Sequence, residues 1–235
     1  MSLSNNLNIT KFNDPVPTAC VDNFLDIDFA KSMYNETRTV DDTHWSEFTR
    51  NKSYMKECKD LTVLPIASKF VEYMHSPKIL LWLEELTGIS SLIPDPYLTG
   101  AGYSKSFKND SLKVHTDFNW NEKLKLHRAL SFIVYLTPEW NPDWGGALGF
   151  YDFKNNNLVN AIDCVFNRAV IWQYHKLGFH GYKEPLTCPE DLQRTTFRLF
   201  YYTSDSQYKT DDMPHRSLYW VDPVTTQPYD KRDQK

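Results

Sequence analysis

Cysteine is scarce and unpatterned in this chain of 235 residues: Cys20, Cys58, Cys164 and Cys188 form no C-x-x-C pair. Neither a zinc cluster nor a disulfide framework is signalled, so a reducing compartment is expected. No stretch approaches 18 uninterrupted apolar residues, and the opening MSLSNNLNITKF lacks a basic start followed by an apolar run. A membrane span and a secretory leader are therefore not expected, and the chain reads as cytoplasmic. Positive charge is not in excess either. With 26 Lys plus Arg against 30 Asp plus Glu, the formal net charge of -4 gives no diffuse attraction to a phosphate backbone, which disfavours nucleic acid as a partner. Internal repeats and low-complexity tracts are missing as well. What is present is enough chain for one domain, residues 1–235, with a sizeable core and an aromatic share of 15% that suits a β-rich interior or a lined pocket.

The first 90 residues read as helical support. Phe24, Ile27, Ala30, Met33 and Tyr34 recur at helical spacing behind acidic residues that cap a first turn. Ile66, Phe70 and Met74 make a second stripe after Pro65. Ser76-Pro77 supplies an N-cap and a first-turn proline for a third, which runs through Ile79, Leu80, Leu83 and Leu86 to a stop at Gly88. From about 91 to 204 the pattern changes to short apolar segments between turn residues, with no helical period long enough for βαβ units. Strands are expected near 96–103, 112–117, 127–137, 146–152, 158–164, 168–173, 178–182 and 194–203. That pattern suggests a jelly roll or related double-sheet barrel, an α+β fold whose β core is braced by the N-terminal helices. The tail, 205–235, is polar and carries prolines, which fits either a segment draped over the domain or partial disorder.

Chemistry concentrates in His115-Thr116-Asp117, His180 and Arg194-Thr195-Thr196. Residues two apart on a strand share a face, so His115 and Asp117 can grip one ion. A third ligand from a distant strand would complete the two-histidine, one-carboxylate set of non-haem Fe(II) oxygenases, which leaves part of the metal open. Spacing offers two candidates for that third ligand, His175 and His180, and does not choose between them. Phe118, Asn119 and Trp120 follow Asp117 where a metal pocket would have its wall. On the last strand Arg194, Thr196, Arg198, Phe200 and Tyr202 share a face. An inward arginine beside a hydroxyl calls for an anion, because an unpaired buried charge loses several kcal/mol of hydration. A dicarboxylate would satisfy it, taking two parallel N–H bonds from Arg194 and an O–H bond from Thr196; Tyr135 reads either as a further hydroxyl donor to it or as a core tyrosine bonded to backbone. On the strand at 127–137, His127, Ala129, Ser131, Ile133 and Tyr135 fall on one side and Arg128, Leu130 and Phe132 on the other. Trp120, Trp140 and Trp144 read either as a lid over the substrate mouth or as edge packing, and His44, His75 and His215 carry no assigned role.

Taken in order, H-T-D, then Y-L-T-P-E-W with G-G-A-L, then N-R-A-V-I-W with F-H-G, then R-T-T-F-R-L-F-Y-Y-T resemble the Fe(II)/2-oxoglutarate-dependent dioxygenases of the prolyl 4-hydroxylase-like group. The resemblance runs over about 110 residues, from near 96 to 204. It implies a double-stranded β-helix (cupin-like) core, with His115, Asp117 and His180 as catalytic iron ligands. It favours His180 over His175, and it implies that Arg194 and Tyr135 hold the far carboxylate of 2-oxoglutarate with Thr196 in support. It further implies Fe(II), 2-oxoglutarate and O2 as cofactor and co-substrates, with ascorbate a candidate reductant. The reaction implied is hydroxylation of an unactivated C–H bond on a prolyl, peptidyl or small amino-acid-like substrate, with succinate and CO2 as co-products. Many collagen-type relatives carry lysine in place of Arg194, so a collagen-like substrate is not implied. Arg198 stands where relatives often have a small residue, and with Asn119 and Trp120 it is a candidate substrate contact. Two rival readings are an oxidative nucleic-acid demethylase on the same barrel, which Arg194 and Arg198 superficially suggest, and a non-catalytic jelly-roll binding module.

Overall fold

The computed structural model describes residues 2–50, 53–155, 157–204, 214–220 and 228–229. Its N-terminal part holds strands β1 (Asn8–Phe12), β2 (Thr18–Asp22), β3 (Ser46–Arg50) and β4 (Ser53–Cys58), and helices α1 (Ile27–Thr39), α2 (Pro65–Met74) and α3 (Pro77–Thr87). The strands that follow are β5 (Ile93–Pro94), β6 (Gly102–Ser106), β7 (Leu112–Thr116), β8 (Trp120–Asn121), β9 (Leu126–Tyr135), β10 (Leu148–Asp152), β11 (Asn157–Ile162), β12 (Ala169–Gln173), β13 (Phe179–Tyr182), β14 (Arg194–Thr203), β15 (Leu218–Trp220) and β16 (Pro228–Tyr229).

Among the described residues the strand pairings are all antiparallel and form two sheets. The larger runs β1-β2-β12-β9-β14-β6-β4-β3, with β5 on β14 and β8 on β9; the smaller runs β11-β10-β13-β7-β15-β16. From β6 to β14 the chain passes back and forth between the sheets, the winding of a double-stranded β-helix, as expected. Period-2 alternation makes the layers. Phe132, Val134, Phe197 and Leu199 turn outward onto Phe24, Ala30, Met33, Phe70, Met74, Ile79 and Leu83 from the helical side. Ile133 and Tyr135 turn inward against Leu148, Phe150, Val170 and Trp172.

The helices fall where the periodicity placed them, but not all their caps do. Asp26 caps α1 by accepting from the backbone N–H of Asp28 and Phe29, and Gly88 ends α3 in the left-handed region at φ 74°. Ser76 makes no capping bond. The start of α2 is held by Glu36 of α1, whose carboxylate accepts from Ile66 N–H at 2.6 Å and Ala67 N–H at 2.9 Å.

Two expectations need correction, and the tryptophan pair takes one of its two readings. The first 90 residues are not purely helical: β1 and β2 extend the larger sheet beyond β12, and β3 and β4 extend it beyond β6. The strand expected near 96–103 is Gly102–Ser106, because Leu98 and Gly100 adopt positive φ values of 48° and 71° and make residues 95–101 a turn. Trp140 and Trp144 meet edge to face with centroids 5.4 Å apart and pack at the border of the inner layer, the bland reading of that pair. In the tail, β15 lies along β7; positions 205–213, 221–227 and 230–235 lie outside the described residues.

Candidate metal and 2-oxoglutarate site

Register builds the site. β7 and β13 are neighbours in the smaller sheet with His115 directly opposite His180, which brings residues 65 positions apart in sequence to ring centroids 4.6 Å apart. Asp117 lies one residue past the end of β7, so its carboxylate comes from the start of a loop. The Nε2 atoms of His115 and His180 each lie 3.8 Å from an Asp117 oxygen. The ligand atoms of all three fall within 4.8 Å of one another. His175 is elsewhere: its Nδ1 accepts from Leu177 N–H.

The donor set fits a divalent ion, and its surroundings prepare it. His115 Nδ1 sits 2.8 Å from Lys113 O and His180 Nδ1 2.8 Å from Gly178 O. Each carbonyl can only accept, so each ring carries its proton on Nδ1 and turns a lone pair outward on Nε2. Burial, reinforced by the neighbouring His180, pushes the His115 imidazole down to about 4 against the pull of Asp117. At neutral pH it is therefore uncharged and able to ligate. Burial alone would raise the Asp117 carboxyl. The Arg128 guanidinium, the two imidazoles and the Ser131 hydroxyl hold it well below the usual carboxylate range instead.

Arg128 is the residue that sequence reasoning missed. Fully buried, it donates from Nη1 to Asp117 Oδ2 at 2.8 Å, and Ser131 donates to the same oxygen at 2.8 Å. Its guanidinium carbon lies 3.7 Å from the ring centroids of both Phe118 and Phe200. With Oδ2 occupied twice, Oδ1 is the oxygen left for a metal. Strict alternation places Arg128 on the far side of β9 from Ser131. The pairing of β9 with β14 explains the difference: Tyr201 faces Leu130 while the next residue, Tyr202, faces Arg128. Ala129 is an extra residue there, and this bulge reverses the alternation and swings Arg128 to the inner face.

A cavity of about 70 Å³ joins the three ligands to Arg194, Thr196, Arg198 and Phe200, the inward face expected of β14. Arg194 is buried between the rings of Tyr135 and Tyr182, 5.0 and 4.7 Å from their centroids. Its Nε donates to Gly146 O at 2.9 Å, and Nη2 lies 3.5 Å from the Tyr135 hydroxyl. No carboxylate pairs with Arg194 among the described residues. Burial pushes the Tyr135 phenol far up, keeping its proton available for donation. Thr196 shares a 2.8 Å hydrogen bond with Ser104 of β6, and Ser106 shares one of 2.7 Å with Tyr182. A buried guanidinium beside the Tyr135 hydroxyl, lacking a counter-anion among the described residues and opening on a cavity that Thr196 also lines, is a fitting berth for a carboxylate.

The remaining candidates divide. Arg198 lines the cavity but is ion-paired with Glu57 of β4, so it does not form with Arg194 the free basic face that the nucleic-acid reading invoked. Asn119 is fully buried and accepts from the His215 N–H at 2.8 Å. Trp120 lines a separate outer groove with Phe118, Glu122 and His215. Neither lines the metal cavity: Asn119 is bonded to His215 and Trp120 lies in the groove that His215 also lines. Against the opposite edge of the site, Tyr219 of β15 stacks on His115 with centroids 5.3 Å apart.

The arrangement fits a non-haem iron oxygenase centre with a berth for an oxo-acid. Residues 101–202 match the family model of the 2OG-Fe(II) oxygenase superfamily. The chain is 28% identical over 160 residues to the prolyl 3-hydroxylase OGFOD1 of Mus musculus, a match that covers 61% of this chain and 27% of that protein. Among solved structures, a prolyl-4-hydroxylase from Pseudomonas putida superposes with a TM-score of 0.59 at 13% identity, covering 81% of this chain and 95% of that one. A prolyl hydroxylase from Trichoplax adhaerens, in complex with a hypoxia inducible factor peptide fragment, superposes with a TM-score of 0.52 at 16% identity, covering 83% and 87%. These likenesses support the fold; the roles of individual residues rest on the geometry above.

Proposed function

We propose that this protein is a 2-oxoglutarate-dependent dioxygenase that hydroxylates an unactivated C–H bond of a prolyl or other peptidyl residue, with succinate and CO2 as co-products. The observation that carries the proposal is one small cavity lined both by a His-Asp-His set with its ligand atoms turned together and by a buried arginine with no acid partner among the described residues. His115, Asp117 and His180 would hold Fe(II). Arg194 would take the far carboxylate of 2-oxoglutarate, with Tyr135 and Thr196 in support. Iron and 2-oxoglutarate, once bound, supply with O2 the oxidising power that the side chains lack, and ascorbate is a candidate reductant. The chain supplies position. Backbone carbonyls fix the tautomer of each imidazole, while Arg128 and Ser131 fix the rotation of the Asp117 carboxylate. The aromatic and aliphatic walls keep bulk water from the ligands. A cytoplasmic setting is part of the same reading, and four unpaired, buried cysteines suit it.

The test is aerobic incubation with Fe(II), 2-oxoglutarate and capped prolyl peptides, following succinate and the gain of one oxygen by the peptide. Asp117→Ala should abolish binding of Fe(II) or Ni(II). Arg194→Ala should weaken 2-oxoglutarate binding by about a hundredfold, the cost of removing one member of a buried, hydrogen-bonded charge pair, while metal binding persists. Equal loss of metal affinity in both variants, or no succinate under any condition, contradicts the proposal.

A further inference from the structure

Arg198 sits four residues beyond Arg194 on the same face of β14 and lines the cavity beside Met55 and Phe200. It is not an open cation. Its Nη2 is paired with a carboxylate oxygen of Glu57 on β4, and the two side chains are only 19% and 25% exposed. Its Nη1 meets nothing stronger than the thioether sulfur of Met55, at 3.7 Å. Its Nε is buried without a hydrogen-bond partner among the described residues. Both Met55 and Glu57 come from a strand that packs on β6, so the N-terminal extension of the larger sheet builds part of the cavity wall.

Two physical consequences follow. A guanidinium N–H whose acceptor is a thioether is weakly satisfied, so Arg198, which lines the cavity, can still donate from Nη1 to an oxygen of a bound molecule. That oxygen has no need of charge, because Glu57 already balances the guanidinium. A carboxylate brought here would feel Arg198 attract and Glu57 repel at similar range, and would lose its hydration for little return. The Nε and Nη2 edge that carboxylates prefer is also half filled by Glu57. A neutral carbonyl oxygen loses less water and can accept from Nη1. We infer that the Arg198–Glu57 pair is a specificity element that admits a substrate through an uncharged backbone carbonyl, selecting a residue inside a peptide over a free amino acid or other small carboxylic acid. The inference rests on the cavity being the oxygenase site proposed above.

The experiment offers the purified full chain, with Fe(II), 2-oxoglutarate and air, two mixtures. One holds pentapeptides with a central proline and random neighbours, acetylated and amidated at their ends. The other holds free L-proline and the remaining free amino acids. Addition of one oxygen is read by mass spectrometry, and binding of each mixture is measured separately under nitrogen. The wild type should oxidise the capped peptides and leave the free amino acids at least about tenfold behind in kcat/KM, as like-charge juxtaposition requires. Glu57→Gln, which keeps shape and removes charge, should shift that ratio toward the free acids by about tenfold, mainly through KM and visibly in the anaerobic binding. Arg198→Gln should raise KM for the capped peptides. Preference of the wild type for free amino acids, or a ratio unmoved by Glu57→Gln in a variant with native thermal unfolding, overturns the inference. Consumption of 2-oxoglutarate with no oxidation of either mixture overturns it too while leaving the oxygenase reading intact. Absence of any 2-oxoglutarate consumption removes both.

Discussion

Arg128→Leu is the most informative single substitution. The wild-type guanidinium is wholly buried, 2.8 Å from a carboxylate that is itself only 13% exposed, and is clamped between two aromatic rings. Leucine preserves apolar contact with Phe118 and Phe200 but strips Asp117 of its strongest counter-charge. Breaking a buried pair from one side costs about 3–5 kcal/mol, because the abandoned ion keeps its desolvation penalty. Against a typical domain stability of about 5–15 kcal/mol, that is a large fraction. Urea unfolding of metal-free protein at pH 7 reads the loss directly. The double variant Arg128→Leu/Asp117→Asn removes both charges and should recover about 2–3 kcal/mol of it. Saturating Ni(II) should narrow the gap for the single variant, since the ion returns positive charge to Asp117. A single-variant loss under about 1 kcal/mol, or a cycle additive within about 0.5 kcal/mol, would refute the reasoning.

Two further outcomes are expected. A Cβ on Gly181 would lie 2.6 Å from Leu112 O and 3.1 Å from Lys113 O, backbone atoms that cannot step aside, so Gly181→Ala should cost about 2–3 kcal/mol by forcing β13 off β7; calorimetry that finds unchanged unfolding and unchanged Ni(II) affinity would contradict this. Burial pushes the His75 imidazole down to about 4 from an ordinary value of 6.5, so the unfolded chain binds the extra proton first, and stability should fall as pH drops from 6.5 toward 4. His75→Leu should unfold with one proton less taken up across that window, measured as a shallower dependence of the urea midpoint on pH; an identical slope in both proteins would count against it.

The parts that sequence made legible are those governed by local periodicity. Arg194, Thr196, Arg198 and Phe200 could be placed on one inward face because β14 is regular over that span, and the helices could be placed because their apolar stripes and the glycine after α3 are strong signals. The strands of the N-terminal part were hidden for the opposite reason. Asn8–Phe12 is almost entirely exposed, so NITKF shows no burial pattern, and β3 and β4 gain their order by pairing with each other and with β6 rather than from composition. Glu36 as the cap of α2, some 30 residues away, and Glu57 as the partner of Arg198, 141 residues away, are tertiary facts with no local trace. Arg128 was concealed by a single bulged residue, which no alternation rule anticipates.

The facing positions of His115 and His180 carry a consequence for how the molecule is assembled. Sliding either strand by one place would send one imidazole to the opposite surface, and sliding by two would part the rings by roughly 7 Å. Ion capture is thus a yes-or-no gauge of whether two distant stretches have docked in correct alignment, and a cation bound there stabilises that alignment against every slipped neighbour.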